Sequence, residues 1–530
     1  MKTSSCRLII LSGFLFVFPF LSLYPQFIHV KDNHFILNDK PYYFVGTNFW
    51  YGYYLGVPEP KEKRERLARE LDRLKAIGVD NLRILAGSEK SEIKNSIKPA
   101  IQTSPGVYDT TLLAGLDFLL SEMKKREMHA VVILNNYWEW SGGMAQYNSW
   151  NGGGRVLDPS VDDFGDFMNY SASFYRNNQA NQNFRNYLIS LISRKNIYSG
   201  LYYSEDPVIM AWELANEPRP GTGSQYISYY YEWIDSTAKY IHSLDPNHLV
   251  TTGSEGTMGS IESGNIYLRA HQSKFIDYMT FHVWAKNWQW FDAKHYNETY
   301  QNALSKAIDY IQEHVALAER LGKPVVMEEF GLPRDLERYT PGSAATVRDK
   351  YYSELLNLAY QSARTGSPMA GSNFWGWGGE GRSPNSDFIW REGDPFVCDP
   401  PMEAQGLNSV YDTDSSTIEV LREKSLLMKS LREDSTSVKD SADSYSLFQN
   451  YPNPFNSITL IKYSLPAPAH ASLKVFDTLG REIKTLFSSF SPPGIHEVIF
   501  NGAGLPSGVY YYRLFIENNE VETKKMAIVK

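Results

Sequence analysis

Cysteine is nearly missing from this chain: Cys6 and Cys398 are the two in 530 residues. That count excludes a disulfide framework and a Cys-rich zinc module. Basic charge is also short, with 52 Lys and Arg against 60 Asp and Glu and a net charge of −8. Any phosphate-gripping patch must then be local, and nucleic acid is not expected as a partner. Charged residues at 21% beside 42% hydrophobic exclude a disordered chain. The 11 histidines include no helical i, i+4 pair and no H-E-x-x-H, so a zinc hydrolase pattern is missing. Gly152–Gly154 follows no strand and lacks a third glycine at the spacing of a dinucleotide loop. Gly253-Ser254-Glu255-Gly256 lacks the leading glycine of a nucleophile elbow. No metal or organic cofactor is called for.

Long apolar runs are confined to the N-terminus. Lys2 and Arg7 precede an apolar stretch from Leu8 to about Leu23, with Pro19 near its end. A basic segment, an apolar segment and then polar sequence make a secretory leader, placed at residues 1–25. A single membrane anchor is the alternative. No later stretch is long and apolar enough to span a bilayer, so no span is expected in the mature protein. Cys6 lies before the apolar run, where a lipoprotein cysteine does not sit, and it leaves with the leader. What the chain has in surplus is aromatic side chains: 12 Trp, 36 Tyr and 27 Phe. Such a surplus can be core, and it is also what sugar-binding clefts use. Flat rings stack on the C–H face of a pyranose while Tyr and Trp keep a polar edge for hydroxyls.

From about Pro41 short apolar runs alternate with longer amphipathic segments. The runs are Tyr42–Phe49, Asn81–Ala86, Ala130–Asn135, Val208–Ala215, Leu249–Gly253, Tyr278–Trp284, Pro324–Phe330 and Met369–Trp377. Between them Lys61–Ile77, Leu112–Arg126, Tyr226–Ser243, Tyr300–Leu321 and Asp349–Thr365 carry apolar residues at helical spacing. Apolar runs alternating with helices predict βα units and a parallel sheet buried on both faces. Eight units are the number of a (β/α)8 TIM barrel. A doubly wound open sheet is the rival, but the first run leads into aromatic Phe49-Trp50-Tyr51 rather than a glycine-rich phosphate turn. A Ser-, Asp- and Thr-rich linker is expected at 433–446. Beyond it, 447–530 alternates short apolar runs with turns such as Pro492-Pro493-Gly494, which predicts a small all-β sandwich. The expected layout is a leader at 1–25, a barrel at 26–432, a linker at 433–446 and a sandwich at 447–530.

The chemistry-bearing strings fall at the C-terminal ends of predicted strands, where barrel enzymes put their reactive groups. The fourth run reads W-E-L-A-N-E-P and ends on Asn216-Glu217; the seventh reads P-V-V-M-E-E-F-G with Glu328-Glu329 at its tip. A carboxylate at the end of an apolar strand is desolvated and needs a partner or a purpose. Two of them facing each other across a barrel mouth are what acetal cleavage requires, one to protonate the leaving oxygen and one to attack or to activate water. Arg83 and His282 stand on other strand ends.

These strings resemble glycoside hydrolase family 5 and, within it, bacterial endo-β-1,4-mannanases, over about Phe35 to Leu431. The carriers are G-T-N-F-W-Y-G at Gly46–Gly52, N-L-R at Asn81–Arg83, L-N-N-Y-W at Leu134–Trp138 and S-G-G-M-A-Q-Y at Ser141–Tyr147. They continue through W-E-L-A-N-E-P-R, F-H-V-W at Phe281–Trp284, E-E-F-G at Glu328–Gly331 and N-F-W-G-W-G-G-E-G-R at Asn373–Arg382. The resemblance implies that Glu217 is the acid/base and Glu329 the nucleophile, with Glu328 the alternative because alternation on a strand would point it to the other face. It implies that Arg83 keeps the nucleophile ionised, Asn216 bonds the sugar's 2-hydroxyl, and His282 bonds in the acid/base region. Trp375 matches the tryptophan under the −1 sugar, with Trp377 as its alternative, and Asn136 and Trp138 would line donor-side subsites. Many members carry His-x-Tyr after strand six; here it is His282-Val283-Trp284, so an indole N–H stands where a hydroxyl is expected. The implied reaction is retaining double displacement on β-mannan, with a raised pKa at Glu217 and an ionised Glu329. A family 5 cellulase or other endo-β-1,4-glucanase is the rival on the same machinery, and an inactive carbohydrate-binding barrel a rival of another class.

The C-terminal segment resembles the sorting domain of type nine secretion cargo. Its carriers are Y-P-N-P-F at Tyr451–Phe455, D-T-L-G-R-E at Asp477–Glu482, L-P-S-G-V-Y at Leu505–Tyr510 and the terminal Lys524-Lys525-Met526. A small carbohydrate-binding module is the alternative. The resemblance implies export by the type nine machinery of a Gram-negative, Bacteroidetes-like bacterium, ending secreted or at the cell surface.

Overall fold

The computed structural model describes residues 27–432, 444–456, 458–491, 494–517 and 519–529. The expected leader at 1–25 and most of the expected linker at 433–446 lie outside the described residues. Among the described residues no helix is long and apolar enough to cross a membrane.

Eight parallel strands form one sheet: β1 (Phe44–Asn48), β2 (Asn81–Leu85), β3 (His129–Ile133), β4 (Ile209–Glu213), β5 (Leu249–Thr251), β6 (Met279–Val283), β7 (Val325–Phe330) and β8 (Met369–Phe374). Their order around the sheet is β5-β4-β3-β2-β1-β8-β7-β6. A parallel bridge from Thr251 to Tyr278 joins β5 to β6, so the sheet closes on itself as a (β/α)8 barrel. Every residue of β1, β2, β4, β6, β7 and β8 is buried. Continuous apolar runs, rather than alternating ones, are what a sheet covered on both faces requires.

The outer layer includes α1 (Lys61–Ala76), α2 (Thr110–Lys125), α3 (Phe164–Ala172), α4 (Asn178–Ile192), α5 (Ile227–Leu244), α6 (Gly264–His271), α7 (Tyr296–Leu321), α8 (Thr346–Arg364) and α9 (Ser415–Ser430). The five helices expected from periodicity are present within a few residues of their expected ends; α3, α4, α6 and α9 were not read from the sequence. Asp109 caps α2 by accepting from Thr111 N and Leu112 N, and Gly322 ends α7 at φ +64°, each satisfying terminal backbone groups. Beneath the strands' N-terminal ends Asp80 holds Arg432 at 2.7 and 3.0 Å, tying the end of the barrel chain back to β2.

The C-terminal part has two antiparallel sheets. The short strand Ser446–Leu447, β9 (Ile458–Leu465) and β12 (Gly494–Asn501) form one. The other has the order β11-β10-β13-β14, with β10 (Ala469–Phe476), β11 (Glu482–Ser491), β13 (Gly508–Ile516) and β14 (Asn519–Ile528). Tyr463, Leu473, Phe500, Tyr512 and Leu514 belong to its buried core, as in a sandwich built from two facing sheets.

Candidate active site

Arg83 organises the barrel mouth. It projects from the middle of β2, is fully buried, and forks onto Glu213 of β4, with Nε to Oε2 at 2.8 Å and Nη2 to Oε1 at 2.5 Å. Its Nη1 donates to Asn48 Oδ1 of β1 at 3.0 Å and to Glu329 Oε1, and its Nη2 donates to Asn216 Oδ1 at 2.8 Å. A planar guanidinium with five donors can meet this many acceptors in one plane, which an ammonium cannot. Three carboxylates around it, Glu213, Glu329 and Glu328, raise the Arg83 pKa well above its ordinary value against the opposing pull of burial.

Glu328 and Glu329 are neighbours on β7, yet both approach Arg83. The β6–β7 register runs Phe281 to Met327 and then His282 to Glu329, so Glu328 is an extra residue in a bulge. Strict alternation, which would send Glu328 to the far face, fails there. Its Oε2 lies 3.8 Å from Arg83 Nε, and Tyr278 donates to its Oε1 at 3.4 Å. Burial, and then the charge of Glu213, push the Glu328 carboxyl up to about 8. A raised carboxyl pKa there favours the neutral form, which eases the crowding of negative charge around one guanidinium.

Glu329 takes two further contacts from β6. The Trp284 indole Nε1 donates to Oε2 at 3.0 Å, and His282 Nδ1 is 3.2 Å from the same oxygen. Trp375, just beyond β8, lies edge-to-face with Trp284 at 5.8 Å and is buried. Trp377 instead donates its indole to Glu70 of α1 at 2.9 Å, away from the mouth.

Glu217 sits four residues past β4 with φ of +50°. A left-handed glutamate costs about 1–3 kcal/mol and persists only where the surroundings dictate it. Here Glu217 N donates to Gly253 O at 2.9 Å. His282 Nδ1 lies 2.7 Å from Glu217 Oε1, and Trp138 Nε1 donates to Oε2 at 2.6 Å. Asn136, in a parallel bridge with Asn216, accepts from Asn216 Nδ2 at 3.2 Å through its Oδ1 and donates to Ser141 Oγ at 3.0 Å. Asn136 thus aligns Asn216. Trp138 contacts Glu217 directly.

The expected rise in the Glu217 pKa is not found. Burial pushes it up, but the hydrogen bond and charge of His282, the charge of Arg219 and the Trp138 donor outweigh burial and bring it to about 2. The proton sits instead on His282, which burial alone would discharge but which the charge of Glu329 and the contact with Glu217 lift to about 10. His282 Nδ1 thus lies between the two carboxylates, 2.7 Å from Glu217 Oε1 and 3.2 Å from Glu329 Oε2.

Three residues of the site were not read as such from the sequence. Glu213 is one. The others are Arg219 and Glu255: Arg219 Nη2 is bonded to Glu255 Oε2 and lies 3.7 Å from Glu217 Oε2. Trp288 Nε1 also donates to Glu255 at 3.1 Å, and burial lifts the Glu255 carboxyl to about 7. Glu213 and Arg219 lie inside the quoted string W-E-L-A-N-E-P-R, so the signal was present.

One donor atom each of Glu217, His282 and Glu329 lie within 4.8 Å of one another, a spacing a metal could use. A cation there would face the Arg83 and Arg219 guanidinium groups at close range, and the carboxylate oxygens are already taken by N–H donors. The donor set fits proton transfer and charge stabilisation better than metal binding.

Residues 25–433 match the family described as GH family 5 beta-mannosidase-like. The chain belongs to glycoside hydrolase family 5. Residues 449–530 match a secretion system C-terminal sorting domain. A mannan endo-1,4-beta-mannosidase 5 of Solanum lycopersicum is 30% identical over 366 residues, covering 66% of this chain and 80% of that protein. A putative mannan endo-1,4-beta-mannosidase 4 of Arabidopsis thaliana is 29% identical over 374 residues, 67% of this chain and 84% of that one. The crystal structure of a glycoside hydrolase family 5 mannosidase from Rhizomucor miehei superposes with a TM-score of 0.71 at 31% identity, over 77% of this chain and 99% of that one. This family 5 protein is a glycoside hydrolase whose barrel is followed by a sorting domain.

Proposed function

We propose that this family 5 hydrolase cleaves β-1,4-mannosidic linkages within mannan, glucomannan or galactomannan by retaining double displacement. The observation that carries the reading is the Glu217–His282–Glu329 arrangement, in which an oxygen of each carboxylate lies within 4.8 Å of the other. Retaining enzymes hold their carboxyl groups about 5–5.5 Å apart and inverting ones about 6.5–9.5 Å, to admit a water. Glu329, gripped by Arg83 and Trp284, attacks the anomeric carbon. Glu217, with His282 Nδ1 2.7 Å from its Oε1 as the group that can pass it a proton, protonates the departing oxygen and then activates the water that releases the mannosyl ester. Asn216, anchored by Arg83 and Asn136, bonds the 2-hydroxyl, and Trp375 lies under the cleaved sugar. The names of the plant relatives and of the fungal mannosidase support mannose over glucose.

We further propose the boundaries 1–25 for a cleaved leader, 26–432 for the barrel, 433–446 for a linker and 447–530 for the sorting module. The match of residues 449–530 supports export by a type nine system, with release or surface attachment afterwards.

Reducing-sugar release on galactomannan, glucomannan and carboxymethyl cellulose, in parallel, tests the substrate. Release from galactomannan but not from the cellulose is expected. Release from cellulose alone would give the substrate to the glucanase reading.

A further inference from the structure

Trp138 is engaged on several sides. Its indole N–H is on Glu217 Oε2 at 2.6 Å, the Arg219 guanidinium lies over its ring at 4.9 Å, and Phe167 stacks on it at 5.9 Å and 16°. Trp138 is itself half-buried. The ring that stays open beside it is Phe164, 53% exposed, with its centroid 6.2 Å from that of Trp138 at 32°. Val161, three residues earlier, is 80% exposed and extends the apolar edge.

The segment that presents this edge is tied down. Asp162 accepts from the Asp158 backbone N at 2.8 Å and from Arg155 Nη1 at 2.7 Å. Asp163 caps α3 by accepting from Asp166 N at 3.0 Å, and Phe164 is the first residue of that helix. A phenyl ring held open to water on a fixed scaffold, one ring away from a proposed acid/base, is pre-organised for a flat apolar ligand face. Its side of the cleft is set by its neighbours. Trp138 bonds Glu217, whereas Glu329 takes its donors from Arg83 and Trp284.

We propose that Phe164 is a substrate-binding residue whose open ring stacks on a sugar of the departing half of the glycan, on the Glu217 side of the scissile bond. The inference rests on the assignment of Glu217 as the acid, because the acid faces the leaving oxygen. It concerns binding energy collected away from the reacting atoms, which is used at the transition state only by substrates that reach it.

The test compares F164A and F164W with the wild-type protein on mannohexaose and on an aryl β-mannotrioside, whose small leaving group puts no sugar on that side. For F164A, kcat/KM on mannohexaose should fall about three- to tenfold, the loss expected for one ring contact, with the aryl substrate changed less than about twofold. F164W, which restores a flat face, should recover most of the loss. Equal losses on both substrates would mark a structural role and overturn the proposal, as would no loss on either. A wild-type protein that cleaves neither substrate would instead overturn the reading on which the proposal rests, and the proposal with it.

Discussion

The Trp284 indole N–H donates to Glu329 Oε2 at 3.0 Å, on the oxygen opposite the one held by Arg83. A neutral, rigid donor thereby orients the carboxylate proposed as the nucleophile. The ring is fixed in turn by its edge-to-face contact with Trp375. W284F keeps the packing and removes the donor. A hydrogen bond to a charged group contributes about 1.5–3 kcal/mol, so kcat/KM should fall roughly ten- to a hundredfold. Steady-state kinetics on a soluble mannooligosaccharide checks this, and a loss under about twofold would show that Trp284 only fills space.

The Glu217–His282 pair makes stability depend on pH in a stated direction. His282 is lifted to about 10 in the folded protein, above an unfolded value near 6.5. Its contribution is fully present below about pH 6.5 and lost as pH rises through about 10. Thermal unfolding of wild type and H282Q between about pH 6 and 10 should therefore give a gap in Tm that narrows with pH. A gap constant over that range would mean that His282 is uncharged in the fold.

Glu213 is predicted to matter for folding more than for contact with substrate. It and Arg83 are both fully buried and joined by two hydrogen bonds. Replacing Glu213 by Ala strands part of a buried positive charge, at a cost of about 3–5 kcal/mol. Denaturant unfolding should report that loss as a lower midpoint with an unchanged slope. An unfolding midpoint equal to wild type would place the main support of Arg83 elsewhere.

The barrel was legible because its strands are continuous apolar runs, and all eight appear where those runs lie. Helices such as α4, NQANQNFRNYLISLI, were not, because its polar residues dilute the apolar spacing. The carboxyl pair was legible as Asn216-Glu217 and Glu328-Glu329. The bulge that turns both Glu328 and Glu329 toward Arg83 was not, since register depends on the partner strand, Phe281–His282. Glu255 stood in Gly253-Ser254-Glu255-Gly256, a string weighed only as a nucleophile elbow. Its bond to Arg219 joins loops 36 residues apart, which local pattern does not encode. The low Glu217 pKa follows from the same limit, because it reflects where His282 and Arg219 converge rather than burial alone.

The central claim is that Glu217 and Glu329 act as a retaining pair. Its most direct test is the anomeric configuration of the first product, followed by proton NMR during hydrolysis of a mannooligosaccharide before mutarotation. Two inversions through a Glu329 ester predict that the β-anomer appears first and the α-anomer later. An α-anomer formed first would mean direct attack by water, and would contradict the roles given to both glutamates.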